Sequence, residues 1–536
     1  MSDERRGRGP GGEDPRGDGG RGDGGRGDGG RGDGGRGDGR RGERQRPQAR
    51  ERSAGHRSEQ RPSERARRTD APRLAAYTAM REIADGAYAN LALPKLLRDK
   101  RISGRDAGFA TELVYGATRL SGLYDAVIAS AAGRPVDKID ANVLDTLRLG
   151  AHQLLGMRVP SHAAVDETVA LARQVNGAGA AGFVNAVMRR ISEREPDAWT
   201  DLVTHDVADP VERLALRTSH PVWIAKALRA ALIGHGAAGP GDVQDSLTAL
   251  LESDNAAAKV SLVARPGLCS LDELEDAGAG RSGLSPVGAT LPEGDPGAIA
   301  AVRDGRAAVQ DEGSQLLVLA LAGAGVEGEA ARHERWLDLC AGPGGKAGLL
   351  AALAIERRIP FVANEISEHR ADLVWQTLAA ARAEARELDT SLKVRHGDGR
   401  ELGELEPGGF SRVLIDAPCT GLGALRRRPE ARWRRGPDDV AALAGLQREL
   451  LASGIEATAT GGLVGYATCS PHLNETRFVV TDILKRHEDV ELVDARPLFV
   501  DASGRQLPGL GEGPYVQLWP HVHGTDAMFF ALLRKR

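Results

Sequence analysis

The chain has 536 residues and a formal net charge of −4, long enough for about three domains with sizeable cores. Four cysteines, none in a CxxC pair, argue against a disulfide scaffold or a Cys-rich zinc module. No apolar run approaches the roughly 18–20 residues of a membrane span, and the polar N-terminus does not read as a signal peptide. A reducing, cytoplasmic setting is therefore expected, in which a cysteine at a special position is there for chemistry rather than for structure.

In chain order, residues 1–70 come first, with 19 Arg, no Lys, 14 acidic residues and no aromatic residue. Arg-Gly-Asp-Gly-Gly repeats four times from Arg16 to Gly35. Such a segment cannot bury enough apolar surface to offset its ordering entropy, so residues 1–69 read as a disordered Arg/Gly/Asp-rich tail. An Arg/Gly-rich segment can hold RNA loosely, but here Asp cancels most of the Arg charge and favours a solvating role. Residues 70–213 read as an all-helical module. Leu74, Tyr77, Met80 and Ala84 share one face, and Val143, Leu144, Leu147, Ala151, Leu154 and Leu155 form a buried stripe. His152 and His162 have no catalytic spacing. Residues 214–306 mix a helix over 222–232, a short apolar run over 259–264 and turn-rich stretches, as expected of a small α+β connector in which Cys269 is buried filler.

From residue 307 to 536 strands and helices alternate. Strand candidates are 336–340, 361–363, 412–415, 463–467 and 527–533; helical stretches cover 347–355, 371–385 and 440–458. This pattern predicts a mostly parallel, doubly wound, Rossmann-like sheet. The fold class is thus multidomain, an all-α domain followed by an α/β domain.

The first of these strands runs into Cys340-Ala341-Gly342-Pro343-Gly344-Gly345-Lys346, where the glycines let a ligand approach the backbone at a helix N-terminus. The spacing is neither GxxxxGK[ST] nor GxGxxG, so a nucleotide triphosphate or nicotinamide site is disfavoured. Glu365 at the next strand end suits the hydroxyls of a ribose, and Asp398 at the third suits an adenine amino group. Three such features at successive strand ends point to a nucleoside cofactor. Two later strands run into Asp416-Ala417-Pro418-Cys419 and Thr468-Cys469-Ser470-Pro471. Strand carboxyl ends line one crevice, so both thiols should face the same site. Six arginines, Arg426, Arg427, Arg428, Arg432, Arg434 and Arg435, surround Trp433 just after Cys419. They read as a phosphate clamp with a stacking platform for RNA rather than a solvated charge run.

CAGPGGK, DAPCTGLG and YATCS, in this order, resemble the Fmu/Sun (NOL1/NOP2/Sun) family of RNA 5-methylcytosine methyltransferases. The match covers about 307–536, including Gln310–Gln315 and the closing segment Trp519–Asp526, and the helical segment 70–195 resembles the NusB-like RNA-binding domain. Gly342 stands where the family often has Ala, and Glu365 where it often has Asp. The resemblance implies S-adenosylmethionine as cofactor, held by residues 340–346, Glu365, Asp398 and Asp416, with Cys340 in the cofactor wall. It assigns nucleophilic attack on cytosine to Cys469 and breakdown of the adduct to Cys419, with Asp416 near the base and Lys346 stabilising charge. It implies small-subunit ribosomal RNA as the partner, no membrane, no metal, and a monomer. The rivals are a transfer-RNA enzyme with the same catalytic domain, and a NusB-like RNA-binding or transcription factor with a vestigial cofactor domain. The intact cysteines and acidic strand ends argue against the second.

Overall fold

The structure is a computed structural model that describes residues 68–536; the tail assigned to residues 1–69 lies almost entirely outside the described residues. Seven helices open the described chain: Ala71–Ala84, Ala89–Asp99, Gly104–Arg119, Ser121–Ala132, Ala141–Leu155, Ser161–Val175 and Ala178–Ile191. Local chemistry sets their starts. The Asp70 carboxylate accepts from Arg73 N at 2.9 Å ahead of a first-turn proline, and Asp140 caps the fifth helix by accepting from Asn142 N at 2.9 Å. Their apolar faces form two cores, one around Leu93, Leu113 and Leu149, the other around Tyr124, Leu147 and Val184. His152 is buried, with Nδ1 2.9 Å from the Tyr124 hydroxyl.

The expected boundary at 213 falls inside a helix, Pro210–Arg217. Asp209 starts that helix by accepting from the N–H groups of Val211 and Glu212, and Pro210 fits its first turn, so the Asp-Pro pair is the true punctuation. Helices Val222–Gly234 and Val243–Asn255 follow, then a four-stranded antiparallel sheet of β1 (Val260–Ala264), β2 (Gly280–Arg281), β3 (Gly288–Leu291) and β4 (Ala307–Val309), in the order β2-β3-β1-β4. Because β4 pairs with β1, this sheet crosses the boundary expected at 306. Nor is the segment a mere connector, since Leu228, Leu232, Leu247 and Leu251 share a core with Leu422, Leu425 and Trp519 of the C-terminal domain. Cys269 is only half-buried at the edge of the small sheet's core.

The C-terminal domain is built on an eight-stranded sheet: β5 (Trp336–Asp338), β6 (Phe361–Glu365), β7 (Leu392–His396), β8 (Phe410–Asp416), β9 (Thr458–Thr468), β10 (Val490–Val493), β11 (Val516–Gln517) and β12 (Phe529–Lys535). The order is β7-β6-β5-β8-β9-β12-β10, with β11 paired to β12. The five strands β5 to β9 run parallel, while β12 is antiparallel to β9 and β10. The central parallel strands β6, β8 and β9 are buried along almost their whole length, as covering on both faces requires, whereas the edge strand β7, Leu-Lys-Val-Arg-His, is partly exposed. Helices Gly345–Glu356 and Glu312–Gly323 cover one face and Pro437–Ala457 the other. The helix expected over 371–385 is two helices, Glu368–Thr377 and Ala379–Glu387. They part where the Thr377 carbonyl accepts from the buried guanidinium of Arg265 at 2.8 Å. Chain order reverses between β5 and β8, the switch point where open α/β sheets place their ligands. No helix of the described residues is long and apolar enough to cross a membrane.

Candidate functional site

Register brings the two cysteines together. Asp416 pairs with Ala467 across β8 and β9, so Cys419 and Cys469, three and two residues further on, leave the same sheet edge side by side. Their sulfurs are 3.4 Å apart and both residues are half-buried. Lys346 lies in the first turn of helix Gly345–Glu356 and donates from Nζ to Asp416 Oδ2 at 2.8 Å, closing the site from the β5 side. Burial works against the Lys346 charge, but Asp416 and Cys469 outweigh it and raise its pKa.

The two thiols are driven apart electrostatically. A hydrogen bond from Cys419 draws the Cys469 thiol down, opposed by burial and Asp416 and aided by Lys346 and Arg428. Cys419 goes well up, through the same hydrogen bond, burial, and the negative charge of Cys469, Glu475 and Asp416. The arrangement favours a thiolate at Cys469 with Cys419 as its proton-bearing donor.

Beside the cysteines the Gly-rich turn leaves β5. Gly344 has φ +112°, reserved in practice for glycine, and a Cβ on Gly342 would come within 2.3 Å of Glu365 Oε2. Nothing lies within 4 Å of a Cβ position on Gly345, so space is open at the helix N-terminus. Gly342 N donates to Glu365 Oε2 and Ser367 N to Oε1, each at 3.0 Å, and Arg370 pairs with the same carboxylate at 3.2 Å. Asp398 caps the turn Gly399–Glu401 by accepting from Arg400 N at 2.9 Å; the Arg400 guanidinium also donates to it and lowers its pKa. Cys340 N donates to Asp338 Oδ1 at 3.2 Å, and burial pushes the Cys340 thiol well up. Asp338 itself is fully buried, its Oδ2 has no protein partner, and its pKa is raised to about 8 by burial and by Asp416. The open space at Gly345, an orphaned buried carboxylate oxygen and two acidic strand ends fit a nucleoside carrying a positive charge. Among the described residues no group of three or more His, Cys, Asp or Glu is placed to hold a metal.

Two groups here escaped the sequence reading. Asp338, two residues before the Gly-rich turn, carries no sequence signal beyond its place at the end of an apolar strand. Glu475, fully buried beneath both cysteine turns, carries no signal beyond lying six residues after Cys469.

The arginine cluster departs most from expectation. Arg432 is fully buried and donates to the carbonyls of Arg119, Ser219 and Asp254 and to Asn255 Oδ1. Arg434 donates to the carbonyls of Ile83 and Ala87, Arg426 to that of Gly524, and Arg427 bridges the buried Asp311 and Asp526. These four arginines are engaged within the protein and tie its parts together, each meeting main-chain carbonyls or buried carboxylates of distant segments. A Cβ on Gly122 would lie 2.4 Å from the Trp433 ring, so Trp433 packs on the helical domain while 43% of it stays exposed. Arg435 pairs with Asp439 at 3.2 Å. Arg428 is exposed, its guanidinium 5.4 Å from the centre of the Tyr88 ring.

Residues 329–534 match the family model described as 16S rRNA methyltransferase RsmB/F, and residues 65–193 match that of the NusB family. The Mycobacterium tuberculosis protein Rv1407 is 52% identical over 474 residues, covering 88% of this chain and 98% of its own. Ribosomal RNA small subunit methyltransferase B of Pseudomonas syringae is 31% identical, covering 87% of this chain and 97% of its own. The crystal structure of PH0851 superposes with a TM-score of 0.69 at 21% identity, over 87% of this chain and 99% of that one, which is a likeness of fold.

Proposed function

This chain belongs to the RsmB/F family of S-adenosylmethionine-dependent RNA methyltransferases, and we propose that it forms 5-methylcytosine in small-subunit ribosomal RNA through a covalent adduct between Cys469 and the base. The observation that carries the reading is the pair of sulfurs 3.4 Å apart, with Lys346 and Asp416 beside them and the Gly-rich cradle adjoining.

Carbon 5 of cytosine is too weak a nucleophile to be methylated directly, and addition of a thiolate at carbon 6 converts it to an enamine-like centre. Cys469 is the group suited to that addition, since Cys419, Lys346 and Arg428 all favour its thiolate. Asp416, held by Lys346, is the group suited to meet the polar edge of the base and favour protonation at nitrogen 3 as charge builds there. S-adenosylmethionine, when bound, would supply the methyl group; the Gly342–Lys346 turn, Glu365, Asp398 and Asp416 are the residues that would hold it. Water reaching the half-buried site takes the proton from carbon 5, and that electron pair restores the carbon 5–carbon 6 double bond as the bond from sulfur to carbon 6 breaks and Cys469 leaves as a thiolate. Cys419, still protonated, then donates a hydrogen bond to the departing thiolate. Arg428, Trp433 and Arg435 keep enough exposed surface to meet the RNA chain; the support for ribosomal RNA is the naming of the Pseudomonas relative together with the NusB-family domain.

The test is a denaturing gel of each cysteine variant with RNA and cofactor, alongside bisulfite sequencing of ribosomal and transfer RNA from a deletion strain. Cys469→Ala should give neither methyl transfer nor adduct, and Cys419→Ala should accumulate a denaturation-resistant protein–RNA adduct. Adduct in Cys469→Ala alone would reverse the roles, and adduct in neither would remove covalent catalysis. Loss of 5-methylcytosine from transfer RNA alone would move the substrate.

A further inference from the structure

Beneath the two sulfurs lies a carboxylate that the reaction itself does not touch. Glu475 is fully buried at the end of the turn Leu473–Glu475. Its Oε1 accepts from Thr420 N at 2.7 Å and from Gln447 Nε2 at 3.4 Å. Its Oε2 accepts from Thr420 Oγ1 at 2.5 Å and from Ser470 Oγ at 2.6 Å, and the two hydroxyl oxygens are themselves 3.2 Å apart. Thr420 follows Cys419 and Ser470 follows Cys469, so one side chain holds the residues next to both sulfurs. Its main chain is fixed as well, the Tyr466 hydroxyl donating to the Glu475 carbonyl at 2.8 Å.

Every donor to this carboxylate is neutral, and no ion pair to Glu475 occurs among the described residues. A buried carboxylate ordinarily acquires a cation or neutralises, because burial of an uncompensated charge is expensive. Four neutral donors, and no cation, meet the oxygens of this one. We propose that Glu475 is a positioning residue, which ties the Cys419 turn to the Cys469 turn and, through its unpaired charge, decides which of the two sulfurs carries the negative charge.

The surroundings of the two sulfurs differ in the required sense. Cys419 faces Glu475, Asp416, the Cys469 sulfur and the Tyr466 hydroxyl, with no cation among its main influences. Cys469 faces Lys346, Arg427 and Arg428, opposed by Asp416. Glu475 itself also faces His472, whose pKa burial lowers. Glu475 is thus among the main influences on Cys419 and not among those on Cys469. Without it Cys419 would ionise more readily, and the donor that supports the Cys469 thiolate and its departure would be lost.

The consequence for turnover rests on the covalent reading above, but the decisive measurement involves neither RNA nor methyl transfer, so the two can fail separately. In the full chain carrying Cys469→Ala, the rate at which iodoacetamide alkylates Cys419 is followed against pH, with Glu475 and with Glu475→Gln. Glutamine keeps the shape and most of the hydrogen bonds while removing the charge. The alkylation midpoint should fall by about one pH unit, a typical size for such a perturbation. An unchanged midpoint, or a rate raised equally at every pH, overturns the electrostatic role and leaves only packing. Thr420→Val keeps the charge and removes one tie. It should lower kcat severalfold with the KM for RNA unchanged and no shift of the alkylation midpoint in the Cys469→Ala background; an unchanged kcat overturns the tie.

Discussion

Arg432→Met separates a structural arginine from an RNA-binding one. In the folded protein the Arg432 guanidinium reaches Asn255 Oδ1 at 2.7 Å, the Asp254 carbonyl at 2.8 Å, and the carbonyls of Arg119 and Ser219 at 3.2 Å each. These acceptors belong to the helical domain, the segment after it, and the helix Val243–Asn255, so one side chain of the C-terminal domain joins three parts of the chain. Burial pushes its pKa down to about 10, leaving it charged at neutral pH, with buried Asp254 as the nearest carboxylate. Methionine fills similar volume but leaves buried acceptors without a donor, at about 1–3 kcal/mol for each that finds no water. Deleting one partner of a buried charge set costs about 3–5 kcal/mol as a whole. At about 2–4 °C per kcal/mol the melting temperature should drop by about 10 °C. Lysine should not rescue it, since an ammonium cannot span four acceptors in the plane of a guanidinium. The assays are thermal unfolding and RNA binding as a function of salt. A variant that melts with the parent but loses about one unit of salt slope would make Arg432 a phosphate contact and refute the reasoning.

Arg428, exposed beside Tyr88, is expected to behave in the opposite way: Arg428→Ala should keep the melting temperature and flatten the salt dependence of RNA affinity by about one unit. Asp338→Asn probes the orphaned carboxylate. Its folded pKa of about 8 lies above the ordinary 3.8, so the folded parent must either keep its proton or bury a charge, and its stability is lost progressively as pH rises from about 4 to 8. The asparagine variant escapes this, so its advantage in denaturant melts should grow across that window and level off above it; parallel curves would place Asp338 in a wetter setting. Glu365→Ala and Asp398→Ala should each weaken S-adenosylmethionine binding by about 1–3 kcal/mol in calorimetry, as expected for lost buried hydrogen bonds. Unchanged affinity in both would take them out of the cofactor site.

The sheet was legible because its central parallel strands are buried on both faces and carry apolar runs, as in Val413-Leu414-Ile415 and Leu463-Val464, whereas the half-exposed edge strand β7 carries none. The meeting of Cys419 and Cys469 was legible for a related reason: each follows a strand directly, and parallel neighbours end at the same edge. What failed was composition read without partners. Six arginines in ten residues look the same in sequence whether they meet phosphate or carbonyl oxygen, and only the fold shows four of them turned inward to acceptors from 98 to 351 residues away in the chain, such as the Ile83 carbonyl at Arg434. Glu475 was hidden by the same limit, since its importance lies in donors from three separate segments that converge on it. The strand ends alone would place two thiols at one edge; it takes a buried charge below one of them, and cations beside the other, to make them chemically unlike. That asymmetry, rather than the cysteine pair itself, is what the proposed division of attack and release between the two sulfurs requires.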